Sequence, residues 1–375
     1  MPMAHMRQGH VAIVGAGIVG LAHAYAAARR GANVTVFERD SQARGASVRN
    51  FGLGLVLGQA RGELFDLALQ SRALWLELLP ALGLWHKAAG SLTVARDAAQ
   101  LLVLQAFQEH CGAHYGTALR SANDVAALGL HGMGALYSPH EIALEARRVL
   151  PAMVQYLQQR HGVQFHFDTL VRDIALPAVH TSRGRFDVDE AVVCAGHDFQ
   201  TLFPAQFEPL GLRRCALQML RLADPGLRVG PALLTGLSTL HYPSFTGTAA
   251  LAPALSALRE QVRQQAPAVL QHGVHLIVQQ LESGELIVGD SHDYDASPAP
   301  FGHERVDRML LDLAGALLGR PLQVLERWQG IYASGPQPYE RLQVDRGVTA
   351  IAITSGIGMS IALALAERWF EERLQ

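Results

Sequence analysis

Cysteine is nearly missing from this chain: Cys111, Cys194 and Cys215 are all it has in 375 residues. Three is odd, and none has a partner at metal-ligand spacing, which excludes a disulfide framework and fits a reducing compartment; a cytoplasmic location is expected. Charge of one sign is missing as well. The 31 basic and 33 acidic residues leave a formal charge of -2, so neither nucleic acid nor an anionic membrane is expected as a partner. Long apolar runs are scarce. The one example, "VAIVGAGIVGLAHAYAAA" at 11–28, follows Arg7 and ends in small residues as a secretory leader does, but its glycine spacing is what a cofactor turn needs and a leader does not. No other stretch is apolar enough to insert in a bilayer. Repeats, low-complexity linkers and a G-x-S-x-G nucleophile elbow are absent too. His110, His114, His161 and His166 lack zinc-site spacing, so no metal is expected.

What is present begins with a βαβ unit. Residues 10–15 read as a short buried strand, 18–31 as an Ala-rich helix and 33–37, "NVTVF", as a second strand. Helical patterns follow at roughly 59–82, 97–111 and 142–161, then alternating strand patterns in "GVQFHFDTLVRDI" and a strand "EAVVCAG" at 190–196. From about 213 to 288 strands and turns dominate, with one helix at 255–266; a helix at 304–318 and a last glycine turn and helix, "SGIGMSIALALAERWF", close the chain.

Between the first strand and helix, Gly15, Gly17 and Gly20 form G-x-G-x-x-G. The first permits a tight turn, the second lets a pyrophosphate approach the backbone, and the third lets helix and strand pack; the helix N-terminus favours the phosphate charge. Glu38 ends the second strand, placed to accept hydrogen bonds from ribose hydroxyls and to disfavour a 2′-phosphate, so NADP is not expected. NAD and FAD both remain open on this motif alone.

Further pieces narrow the choice. "VAIVGAGIVGLAHAYAAARRGANVTVFER" at 11–39, "GAS" at 45–47, "TLVRDI" at 169–174, "AVVCAGHD" at 191–198 and "GIGMSIALALAE" at 356–367 run in the order of the D-amino-acid oxidase-like FAD family, which includes glycine and sarcosine oxidases, and the chain resembles it from end to end. The resemblance implies an α/β fold: a doubly wound, Rossmann-like FAD-binding domain in segments 1–85, 141–205 and 326–375, interleaved with a mixed-sheet α+β substrate domain in 86–140 and 206–325. It implies non-covalent FAD, because "YASG" has no cysteine for flavin attachment. Carried over by position, Gly15, Gly17, Ile18, Val19 and Gly20 form the phosphate turn, Glu38 and Arg39 hold the adenosine end, Ser47 sits by the pyrophosphate and the Val171 backbone meets the adenine. Ala195 and Gly196 pass beside the cofactor, and the turn through Gly356, Gly358 and Met359 presents N–H groups to the flavin pyrimidine, where reduced flavin carries negative charge. Arg49 and Asn50 lie in the glycine-rich "GASVRNFGLG", expected along the isoalloxazine, and are candidates for contacting flavin or substrate.

Two departures bear on substrate. Amino-acid oxidases of this family follow a Trp-Gly strand with an arginine that clamps the substrate carboxylate; here "ERWQGIYASGP" puts Tyr332 at that place. Either Arg49 or Arg341 holds the anionic group, or the substrate has no α-carboxylate. In "VGDSHDYDASP" at 288–298, His292 can bind an anion or shuttle a proton. "RNFG" and "GDSH" together resemble a branch proposed to oxidise aminophosphonates. The expectation is oxidation of a small amine at its C–N bond, without a side-chain base, with electrons passed to dioxygen or another acceptor. The alternatives are an ordinary glycine or D-amino-acid oxidase, a nicotinamide-dependent dehydrogenase, and a flavin-binding protein without turnover.

Overall fold

The computed structural model describes residues 9–374; Arg7, and with it the flank of the leader-like reading, lies outside them. Five strands form the parallel part of the main sheet, in the order Val348–Ser355, Glu190–Val193, His10–Val14, Asn33–Phe37, Gln164–His166. The first helix, Ile18–Arg29, crosses between His10–Val14 and its parallel neighbour Asn33–Phe37. Its alanines allow close packing: Leu21, Ala22, Ala24 and Ala27 are fully buried, against the long last helix Gly358–Leu374. Gly20 is the point of closest approach, where a Cβ would stand 1.9 Å from the Gly15 carbonyl oxygen.

The same sheet continues, mainly antiparallel, through Arg213–Leu222, Leu286–Gly289, Ile277–Gln280, Ala232–Thr235, Ser91–Ala95, Gly134–Ser138 and Ala118–Ser121. What joins the halves is one strand of 22 residues, Val324–Asp345. Its first part pairs with Arg213–Leu222 and its second with Val348–Ser355, with a register shift between Ser334 and Tyr339. One large apolar cluster underlies each half, and smaller ones fill the seam where Phe51, Leu53, Leu55 and Ile277 meet.

The pattern read as a single helix over 142–161 is two elements: Ile142–Leu144 is a strand and the helix is Ala146–His161. The strand is needed as the partner of Leu53–Gly54 on one side and His86–Lys87 on the other, and its three residues are buried. No helix among the described residues is long and apolar enough to cross a membrane.

Candidate functional site

A continuous cleft runs over the carboxyl ends of the parallel strands, from Glu38 at one end past Ser47 and Gly356 to Tyr332 and His292 at the other. The Ile18–Arg29 helix begins on Gly17, extended at φ -70° and ψ 176°, with no side chain capping it. Its free first-turn N–H groups, those of Val19 and Gly20, are therefore presented toward a ligand, favourably placed for an anion. The Ile18 N–H donates to Ser47 Oγ at 2.9 Å, tying the glycine turn to the loop that follows. Glu38 is held from behind: Oε2 accepts from the Ala16 N–H at 2.9 Å and Oε1 from the Asp40 N–H at 3.1 Å. Each oxygen keeps acceptor capacity toward the cleft, as a ribose needs. Arg39 also lines the cleft but pairs with Asp198 at 2.7 Å. Val171, Ala195 and Gly196 form the wall opposite. These residues fit the adenosine and pyrophosphate of a dinucleotide.

At the far end the chain turns at Gly356, φ +73°, into the helix beginning at Gly358. A Cβ on Gly356 would lie 3.3 Å from Tyr332 Cζ: the phenol ring rests on the turn, and left-handed backbone and close approach both require glycine. Trp75 Nε1 donates to the Met359 carbonyl at 2.9 Å and Ser360 Oγ accepts from the Leu55 N–H at 2.9 Å. The turn is thereby fixed to the glycine-rich loop.

That loop differs in part from its expected role. Gly52 and Gly54 are bare because protein backbone approaches them: a Cβ on Gly52 would meet the Leu144 carbonyl oxygen at 2.0 Å, and one on Gly54 would meet the Ile142 side chain at 2.7 Å. Asn50 faces the cleft, yet its side chain is spent on its own loop. Its Nδ2 donates to the Ala46 and Ser47 carbonyls, both at 3.0 Å, and its Oδ1 accepts from the Gly52 N–H at 2.8 Å; it staples the turn. Arg49 is half-buried on the cleft wall. Its Nη1 reaches the Gln329 carbonyl at 3.4 Å, and among the described residues no carboxylate pairs with it. Arg341 is a correction: it sits on the outer part of the long strand, away from the cleft, in a 2.6 Å ion pair with Glu372 of the last helix.

Tyr332 lines the cleft, and burial raises its phenol well above the ordinary value, so it stays protonated. Beyond it, residues far apart in sequence meet. His275, His292 and Asp290 line the same cleft. The imidazoles of His241, His275 and His292 bring ligand nitrogens within 4.8 Å of one another. His275 Nε2 is 3.4 Å from Asp290 Oδ1, and His292 Nε2 is 3.9 Å from Oδ2. Burial depresses the His275 imidazole well below 6.5 and His241 to about 4, and lifts the Asp290 carboxyl to about 6. Only His292 of the three imidazoles was singled out from the sequence. Their separations of 34 and 17 positions match no motif spacing; a long strand-rich substrate segment with scattered histidines was the one available signal.

A dinucleotide cleft at the ends of parallel strands, with a second N–H-bearing turn at its far end and a covering antiparallel sheet, defines a nucleotide-cofactor oxidoreductase. The family described as FAD-dependent oxidoreductase, DAO, matches residues 10–371, and this chain belongs to it. Its cofactor is accordingly FAD. Among solved structures, glycine oxidase from Bacillus cereus superposes with a TM-score of 0.79 at 17% identity, over 98% of this chain and 96% of that one. L-proline dehydrogenase from P. horikoshii gives 0.74 at 17%, over 96% and 92%. L-α-glycerophosphate oxidase from Mycoplasma pneumoniae, solved with FAD bound, gives 0.74 at 16%, over 97% and 94%. At these identities the likeness is one of fold.

Proposed function

We propose that this protein oxidises the C–N bond of a small amine whose anionic group lies away from the nitrogen-bearing carbon, an aminophosphonate being the fitting class. One observation supports the reading: Tyr332, which by the family resemblance stands where amino-acid oxidases keep a carboxylate-clamping arginine, lines the cleft, and Arg49, half-buried and without a carboxylate partner among the described residues, lines it too. A neutral phenol cannot replace a guanidinium against a carboxylate. Glycine oxidase and L-proline dehydrogenase among the structural neighbours act on α-amino acids by their names; the amine chemistry is taken from them and the substrate class is not.

Bound FAD supplies a two-electron acceptor for the hydride leaving the nitrogen-bearing carbon. The chain's own part is to position and to dry. Leu53, Leu55 and Ile277 form one apolar wall and Leu217 lies on another, excluding water around the reacting carbon. Tyr332 offers an uncharged hydroxyl, and Arg49 supplies a fixed positive charge for a phosphonate. An amine bound in its neutral form needs no side chain to act as base. Dioxygen is the proposed final acceptor, and three buried, unbridged cysteines support a cytoplasmic setting.

The test is anaerobic bleaching of the purified flavoprotein by glycine, sarcosine and D-alanine against 2-aminoethylphosphonate and its N-methyl relatives. Faster reduction by the phosphonates is expected. Efficient reduction by the plain amino acids would overturn the reading in favour of an ordinary amino-acid oxidase; no bleaching by any amine would favour a flavin-binding protein without turnover.

A further inference from the structure

At the substrate end His275, His292 and Asp290 line the cleft, with His241 packed behind them, and the amine chemistry uses none of the four. His275 and Asp290 are buried, 3% and 5% exposed, and His241 and His292 are half-buried. Asp290 Oδ1 is buried and has no hydrogen-bond partner, a costly state for a carboxylate in an apolar seam. His292 Nδ1 bonds to the Gly273 carbonyl at 2.9 Å. A carbonyl only accepts, so the proton of the neutral ring is on Nδ1 and Nε2 carries a lone pair facing Asp290. His275 Nδ1 faces Ser238 Oγ at 3.2 Å, and that hydroxyl also reaches the Leu276 carbonyl at 3.5 Å. When the serine donates to the carbonyl it accepts from Nδ1, and Nε2 of His275 likewise turns a lone pair toward Asp290 Oδ1. His241, whose ring is tilted 38° to that of His275 at 4.4 Å between centroids, has no ring hydrogen bond among the described residues and completes the group.

Lone pairs converging on a carboxylate repel one another unless a cation lies between them. An anion is disfavoured there for the same reason. We propose that His241, His275 and His292, with Asp290, form a site for a divalent transition-metal ion such as zinc or cobalt(II) at the substrate end of the cleft. Borderline imidazole nitrogens with one carboxylate suit such ions rather than calcium or magnesium. The 3.4 Å between His275 Nε2 and Asp290 Oδ1 is about the 3.4 Å edge of a tetrahedron with metal–ligand bonds of roughly 2.1 Å. The wider His–His separations, up to 4.8 Å, close by small side-chain rotations. The Gly273 carbonyl and Ser238 hydroxyl are the outer partners that fix imidazole tautomers in metal sites. Were the ion six-coordinate, its remaining positions would open on the cleft and take a phosphonate oxygen. That last role rests on the proposed substrate class; the site itself does not.

The test uses metal-stripped, FAD-loaded protein titrated with cobalt(II), read by its visible d–d absorption and by equilibrium dialysis with elemental analysis. One equivalent bound with ligand-field bands of imidazole coordination is expected. His292→Gln and His241→Gln should weaken cobalt affinity on the order of tenfold to a hundredfold while FAD content and thermal unfolding stay as in the parent. Absence of a cobalt spectrum in the parent, or unchanged affinity in both variants, would overturn the site and leave Asp290 a protonated acid bonded to His275. None of these readouts involves an amine, so failure of the aminophosphonate reading leaves the metal site standing, and the reverse.

Discussion

Truncating Glu38 to alanine takes from the cleft its only acceptor held by both the Ala16 and Asp40 N–H groups, and FAD affinity should fall by about 1 to 3 kcal/mol, the scale of lost charge-assisted hydrogen bonds. Fluorescence titration of the apoprotein measures it; an unchanged dissociation constant would make Glu38 a structural staple alone. Arg49→Ala should raise KM for the preferred substrate about tenfold to a hundredfold, the loss of a charged hydrogen bond of about 1.5 to 3 kcal/mol. FAD content should be unaffected, because the loop at Arg49 is anchored by its backbone carbonyl, which accepts from Trp328 Nε1 of the long strand, rather than by its charge. At this scale the sequence was legible in placing Glu38 at the end of a strand and in the cleft. It was not legible where the partner decides: Arg341 is a substrate candidate until Glu372 is seen beside it, and Asn50 until its loop claims every polar atom it has.

Between elements, the packing of the first helix on the last carries a titratable group. His23 is fully buried on Ile18–Arg29, its Nδ1 bonded to the Val19 carbonyl at 2.7 Å and its ring edge-on to Trp369 at 5.7 Å. Burial lowers its pKa from 6.5 to about 4. Between these values the unfolded chain takes up a proton that the folded chain refuses, so stability is complete above pH 6.5 and falls as the pH drops toward 4, by on the order of a few kcal/mol. Thermal unfolding of the FAD-loaded protein at pH 7 and pH 5 should show a larger drop for the parent than for His23→Leu; equal drops would place the acid sensitivity elsewhere. Elements whose periodicity is local, the βαβ start and the helix at Glu304–Leu318, were readable to within a few residues. The split of 142–161 was not, because three apolar residues fit a helix or a strand equally and only the partner Leu53–Gly54 selects the strand.

Over the whole molecule, FAD should act as a staple across segments distant in sequence, since the cleft draws on 14–19, 37–59, 169–171, 194–202 and 351–360. At a hundred times its dissociation constant it should add about 2.7 kcal/mol of stability, seen as a higher melting temperature than the apoprotein's. Heat or acid should release the flavin into the supernatant, since no cysteine stands in the Tyr332–Gly335 segment to bind it covalently; flavin left in a washed pellet would contradict this. The order of motifs suggested an alternation of nucleotide-binding and covering segments, but the continuity of one sheet was not legible, because Gly335, Pro336 and Pro338, at the register shift between Ser334 and Tyr339, read as a break in the chain rather than as a strand changing neighbours. That strand, Val324–Asp345, has a consequence for any attempt to dissect the gene. Each half of the molecule borrows its edge partner from the same stretch of chain, so neither can be expressed as an autonomous module: a protease nick near Pro336 should leave two fragments that stay associated until denatured, and either fragment alone should be recovered as aggregate.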